Sequence, residues 1–171
     1  MSLSVSSSDL RILVLTDLYP PQCIGGYQVA CQRVVDGLRT RGYTLIVLTS
    51  RFGLEKSLRD GHVWRELRYN LAPMDTNWGV LGLLLRELHN QIVLRRALRA
   101  IQPNLVFVWS MWGLGMALLV TIQQYGFPML YYVHDNWLAS GYYDDPWFCY
   151  WRHAPSHSIK RWAKYLIYHL L

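Results

Sequence analysis

The 171-residue chain is short of charge, of cysteine and of long apolar runs, and each shortage excludes a class of protein. Charged residues make up 16 % against 52 % hydrophobic, a balance that excludes intrinsic disorder and supplies a substantial core. The three cysteines, Cys23, Cys31 and Cys149, are odd in number and form no C-x-x-C pair. That excludes a disulfide framework and reads as the reduced thiols of a cytoplasmic protein. No stretch reaches the roughly 18 uninterrupted apolar residues of a membrane span. The nearest, residues 106–122, contains Ser110 and several Gly and Thr breaks, and reads as strand, loop and helix. Residues 1–9 are serine-rich and lack the basic and apolar regions of a signal peptide, so a disordered leader is expected there.

What the chain does hold is aromatic and basic. It has 8 Trp and 12 Tyr, amphipathic rings suited to sugar sites, interfaces and lipid headgroup layers. Net charge is +6, which favours anionic partners without naming one. Nucleic acid is not expected, because neither an aromatic-stacking sheet motif nor a helix-turn-helix pattern accompanies the charge.

Along residues 10–171, short apolar runs alternate with helical periodicity. Strands are expected at 11–16 (RILVLT), 44–49 (TLIVLT), 63–67, 105–109 (LVFVW) and 129–134. A helix opens at Gly26, carries Tyr27, Cys31, Val34, Val35 and Leu38 at helical spacing, and closes at Gly42. Residues 70–77 read as a loop. Leu81, Leu84, Leu85, Leu88, Ile92 and Ile101 lie along a long helix, with Arg95, Arg96 and Arg99 on its exposed side; a short helix covers 115–124. Alternating strands and helices predict an α/β fold, a Rossmann-like parallel sheet sandwiched by helices.

Such sheets bind ligands beyond the carboxyl ends of their strands, where strand order reverses. Three loops there carry chemistry. In TDLYPPQCIGGYQVA (residues 16–30), Gly25 and Gly26 open a helix directly after a strand. The pair serves either a tight turn with positive φ or the close approach of a phosphate to free helix N–H groups. It is neither a dinucleotide fingerprint nor a P-loop. In YYVHDNW (residues 131–137), a strand ending in His134 and Asp135 sets an imidazole and a carboxylate at the crevice mouth. The imidazole can donate to an oxygen or move a proton; equally, the pair can satisfy backbone groups and cap the next turn. The third loop, 110–115, follows the strand that ends in Trp109.

These residues in this order resemble the N-terminal domain of GT-B retaining glycosyltransferases of family 4, the glycogen-synthase-like group. The resemblance rests on strand–DLYPPQCIGG–helix, then RGYTLIVLTS, then a strand-end HD, over roughly residues 11–140. It implies a retaining, hexosyltransferase-like enzyme of carbohydrate biosynthesis that takes a nucleotide-diphosphate sugar as donor substrate and needs no further cofactor or metal. Gly25 and Gly26 would lie against the diphosphate, His134 would approach the donor sugar, and Asp135 would position His134 or the acceptor. Ser110, Trp112 and Trp137 would line the acceptor side. Tyr43 stands where the family usually has His, and Trp109–Ser110–Met111–Trp112 replaces a His-containing strand end.

Other features weigh less. Residues 156–171 form a basic amphipathic pattern, suited to docking on protein or, peripherally, on an anionic membrane. Asp144 and Asp145, among aromatics, fit a pre-proline turn better than a cation or sugar site, although Trp147 and Trp151 nearby could stack on a sugar. His153 and His157 flank Pro155, which argues against a helical zinc site. The rival reading is a non-catalytic α/β module that binds a glycan or membrane surface. Family members carry a second, donor-binding domain that nothing here can form, so residues 10–171 are expected to be the acceptor-side half, truncated at its C-terminus. The purified chain alone is therefore predicted to transfer no sugar; transfer measured with it would refute this.

Overall fold

A computed structural model describes residues 10–69 and 80–145. The elements run β1 (Arg11–Thr16), α1 (Gly26–Thr40), β2 (Thr44–Ser50), β3 (Leu58–Asp60), β4 (Val63–Leu67), α2 (Val80–Ile101), β5 (Leu105–Ser110), α3 (Ala117–Gln124), β6 (Met129–Tyr131) and α4 (Trp137–Asp144). The expectations for 1–9, for 70–77, for Cys149, for Trp147 and Trp151, for His153 and His157 and for 156–171 fall outside the described residues.

Apolar runs in the strands follow from two-sided cover. On β1, Ile12 and Val14 face α1, where they join Cys31 and Val35, whereas Leu13 and Leu15 face α2 and α3 and join Leu94, Leu98 and Leu118. Every second residue meets a helix on one side or the other, so no polar position is left to alternate. The sheet order is β3-β4-β2-β1-β5-β6, parallel throughout except for β3. The chain therefore works outward from β1 on one side, then crosses back through α2 to β5 on the other. The switch point lies between β1 and β5, and the loops after β1, β2, β4, β5 and β6 share one edge.

Three expectations are corrected. The edge strand β3 was not foreseen: Leu58, Arg59 and Asp60 are all exposed, so no core pattern marks them, and only the turn at Asp60–Gly61 signals the hairpin. The last strand stops at Tyr131 rather than His134, because pairing with β5 ends at Val108↔Tyr131. On α2, Leu81, Leu84, Leu85, Leu88 and Ile92 are exposed with Arg95, Arg96 and Arg99, while Leu83, Arg86, Asn90, Val93, Leu94, Ala97 and Leu98 face inward. Both sets keep helical spacing, and the inward one was passed over because it includes an Arg and an Asn.

Of the inward polar residues, Asn90 works as a clamp. Asn90 accepts the Arg68 backbone N–H at 2.7 Å and donates to the Arg68 carbonyl at 3.0 Å, pairing as a strand neighbour would just beyond β4. From the adjacent position, His89 Nε2 hydrogen-bonds the Glu66 carbonyl at 2.9 Å. Loss of the Asn90 amide would leave both Arg68 backbone groups unpaired, at about 1–3 kcal/mol for an unsatisfied group. Asn90→Ala is expected to lower stability by roughly 3 kcal/mol, measured as a lower urea midpoint at unchanged slope.

Candidate functional site

At the carboxyl end of β1 the fully buried Asp17 gathers its neighbours. Its N–H donates to the Ser110 carbonyl at 3.0 Å, and its carbonyl accepts the Ser50 N–H and the Thr49 hydroxyl, each at 3.1 Å. The carboxylate accepts from the Leu18 N–H at 2.7 Å, the Tyr27 hydroxyl at 2.6 Å and the Thr16 hydroxyl at 3.3 Å. Burial pushes the Asp17 carboxyl above its ordinary value, and these donors pull it part of the way back. Burial first, then the Asp17 carboxylate, pushes the Tyr27 phenol up, so Tyr27 stays a proton donor.

The loop from Asp17 to α1 is fixed by a buried arginine. The Arg65 guanidinium donates to the Tyr19 carbonyl at 2.9 Å and to the Pro20 carbonyl, beside the cis Pro20–Pro21 bond. Gly25 is extended, with φ −150° and ψ −177°, and neither it nor Gly26 has positive φ. The tight-turn explanation for the pair therefore falls. Gly25 donates its N–H to Gln28 Oε1 at 2.9 Å, while a Cβ at Gly26 would meet nothing within 4 Å. With no acidic residue in the first turn of α1 and no side chain on its cap, no carboxylate offsets the positive end of the helix dipole there.

His134 and Asp135 follow β6 in the loop before α4. The His134 ring stacks on Tyr27 with centroids 4.5 Å apart, so the imidazole sits over the first turn of α1. Behind it Tyr132 stacks on Trp109 at 3.9 Å, and the Trp109 indole N–H donates to the Tyr27 carbonyl at 3.0 Å. His134 Nε2 lies 3.2 Å from Asp135 Oδ2, and Asp135 Oδ1 accepts the Trp137 N–H at 2.8 Å. The glycine pair and the imidazole–carboxylate tip thus occupy neighbouring places on one rim, with Asp135 fixed beside the imidazole.

The three acceptor-side residues separate. Trp112 is 41 % exposed and faces Tyr69 with centroids 6.4 Å apart, so its ring is open to a ligand. The turn that presents it has Gly113 at φ +69°, which other residues adopt poorly. Ser110 is 1 % exposed, and its carbonyl and hydroxyl brace Asp17 and the Trp112 N–H from within. Trp137 is 5 % exposed, packs in the core and donates its indole N–H to the Tyr132 carbonyl. Ser110 and Trp137 are thus bonded from within, and Trp137 also lines a small cavity that it shares with Trp112. The buried Asp145 carboxylate accepts the Met116 N–H at 2.7 Å at the start of α3, in keeping with a structural part.

Sequence reasoning missed Asp17, Tyr27, Tyr69 and Arg86. Only Asp17 left a signal, as an acid directly after a buried strand. Among the described residues, no His, Cys, Asp and Glu cluster is arranged to hold a metal ion.

Folded Asp17 holds its proton above 3.8, its ordinary value, so within that window the native state binds more protons than the unfolded chain. Its contribution to stability therefore falls as pH rises from about 3.8 through its raised folded value. Asp17→Asn removes this slope and leaves that of Glu87, also raised by burial, in place. Urea denaturation from pH 3 upward should show the variant's stability climbing relative to the parent; parallel curves would contradict the assignment.

No curated protein matches the chain. Among the described residues no helix is long and apolar enough to cross a membrane. Residues 24–170 match the profile described as Glycosyltransferase Family 4, from the loop before α1 to the end of the sequence but one. With most of its length inside that match, and with an α/β sheet of the Rossmann-like type, the chain belongs to Glycosyltransferase Family 4.

Proposed function

We propose that this rim serves the transfer of a sugar, with retention, from a nucleotide-diphosphate donor to a hydroxyl of a glycan, lipid or small-molecule acceptor. The observation that carries the reading is the stacking of His134 on Tyr27, which joins an imidazole to an open helix start at the switch point. In the reaction, the bond from the anomeric carbon to the diphosphate oxygen breaks and the bond to the acceptor oxygen forms on the same face. The acceptor proton leaves with the diphosphate.

Each group then has a part. The leading amides of α1 beside Gly25 and Gly26 face the diphosphate, where negative charge grows as the bond breaks. Dipoles fixed in a helix need no rearrangement to meet that charge. His134 donates to a hydroxyl of the donor sugar, and Asp135 holds the ring in place. Trp112 offers its open face to the acceptor. The reading requires a second, nucleotide-binding domain to close over the rim, so the chain acts as the acceptor-side half.

The test uses the full-length natural protein that contains this chain. His134→Ala is expected to lower kcat by at least about 100-fold with little change in melting temperature, since the ring is not part of the core. Gly26→Val, whose side chain enters open space, should fold normally and raise the KM for the donor by at least about tenfold. Full activity in both variants would overturn the site, and an inverted anomeric centre in the NMR spectrum of the product would overturn retention.

A further inference from the structure

Arg86 is the least expected inward residue of α2. It is 2 % exposed, and Nε, Nη1 and Nη2 all lack a hydrogen-bond partner among the described residues. A buried guanidinium without a partner is costly, and native structures keep few of them. It lines a cleft of about 250 Å³ together with Arg51, Arg68 and Tyr69, walled by Phe52 and the rest of the 51–54 turn. Two further buried donors in that lining, Arg68 Nε and the Tyr69 hydroxyl, are also unpaired. The unsatisfied lining atoms are thus donors from two places in the fold, the segment just after β4 and the inward face of α2.

The walls are fixed. The Arg51 N–H donates to the Leu67 carbonyl at 2.8 Å, and its guanidinium braces its own loop through the Glu55 carbonyl at 3.1 Å. Arg68 is clamped by Asn90, and Tyr69 meets Phe52 edge-on at 5.4 Å. The nearest acids, Glu87 and Asp145, attract the Arg86 charge through space but do not fill the cleft. Glu87 packs against Gly115, its carboxyl pushed up by burial, and Asp145 receives the Met116 N–H. Neither lines the cleft.

We infer that this cleft binds a phosphate-type oxyanion, held by Arg86 from below and by Arg51, Arg68 and Tyr69 around it. Planar guanidinium forks match tetrahedral oxyanions, and the low local dielectric strengthens each charge-assisted bond. The Tyr69 ring connects the cleft to Trp112, so the oxyanion belongs to the sugar acceptor. This last assignment, unlike the oxyanion site itself, rests on the transferase reading.

The test follows thermal melting of the full-length protein in inorganic phosphate against chloride of equal ionic strength. Phosphate is expected to raise the melting temperature by roughly 3 °C near saturation. Arg86→Met should abolish that rise and Arg51→Gln, near the cleft mouth, should at least halve it. Absence of a phosphate-specific rise, or a rise that survives both substitutions, would overturn the site. Co-sedimentation with phosphatidic acid vesicles, lost in Arg86→Met, would assign the oxyanion to a lipid headgroup; a phosphate-dependent rise without co-sedimentation would assign it to a soluble phosphate ester. Because melting and sedimentation need no sugar transfer, a failed transferase reading with an intact phosphate response remains distinguishable from failure of the site.

Discussion

The hydrogen bonds of Asp17 hold the rim together. Its peptide group joins β1 to β5 and β2, and its carboxylate reaches the first turn of α1 through Tyr27. Without that tie, the strands would keep their ladder and α1 its bond to the Trp109 indole, but no polar group would join all three strand ends to the helix start at one point. The sheet bends to accommodate it. Between Leu15 and Thr16 the register with β5 shifts, so that Thr16 pairs with Ser110 and Trp109 is passed over. A bulge of this kind re-aims a side chain. Here the re-aimed residue is Trp109, whose indole binds the Tyr27 carbonyl and whose ring supports Tyr132.

A second register shift lies on the other flank. Between Thr49 and Ser50 the pairing with β4 jumps from Arg65 to Leu67, passing over Glu66. The carbonyl of Glu66 is then taken by His89, and the next turn of chain by Asn90. Both shifts occur at the carboxyl edge, where the strands stop serving the core and begin to serve the loops. The irregularities of the sheet are thus concentrated where ligand groups would be placed, and its interior remains regular.

The sheet was legible in the sequence because a strand covered on both faces has no choice but a continuous apolar run. RILVLT, TLIVLT and LVFVW announce themselves for that reason. The long helix was legible as a helix and misleading as to its face. Leu81, Leu85, Leu88 and Ile92 make a better apolar stripe than the residues that are buried, and a periodicity argument cannot know that Arg86 and Asn90 turn inward. The same limit governed the site. Gly25, Gly26, His134 and Asp135 could be placed on one edge from strand order alone, since topology brings those loops together. Whether Ser110 and Trp137 point out or in depends on packing against Asp17 and Tyr132, which no local pattern encodes. Arg51, Arg68 and Arg86 meet only because three elements converge, and their spacing in the chain carries no signal.

Under the proposed reading the two ends of the rim would meet negative charge by different means, and the difference follows from what each would have to do. At the α1 start the positive potential comes from peptide dipoles, which carry no formal charge and stay in place at little desolvation cost. Such a site can receive an anion, see its charge grow and release it, because nothing there depends on the anion for its own stability. Around Arg86 the potential comes from formal charges withdrawn from water, and the unpaired guanidinium makes the protein itself gain from occupancy. That arrangement favours holding an unchanging group over stabilising a changing one. A rim built from a dipole end for the departing diphosphate and a cationic end for a fixed handle would keep the reacting carbon between two anions with different lifetimes, and Tyr69 and Trp112 form the apolar stretch that separates them.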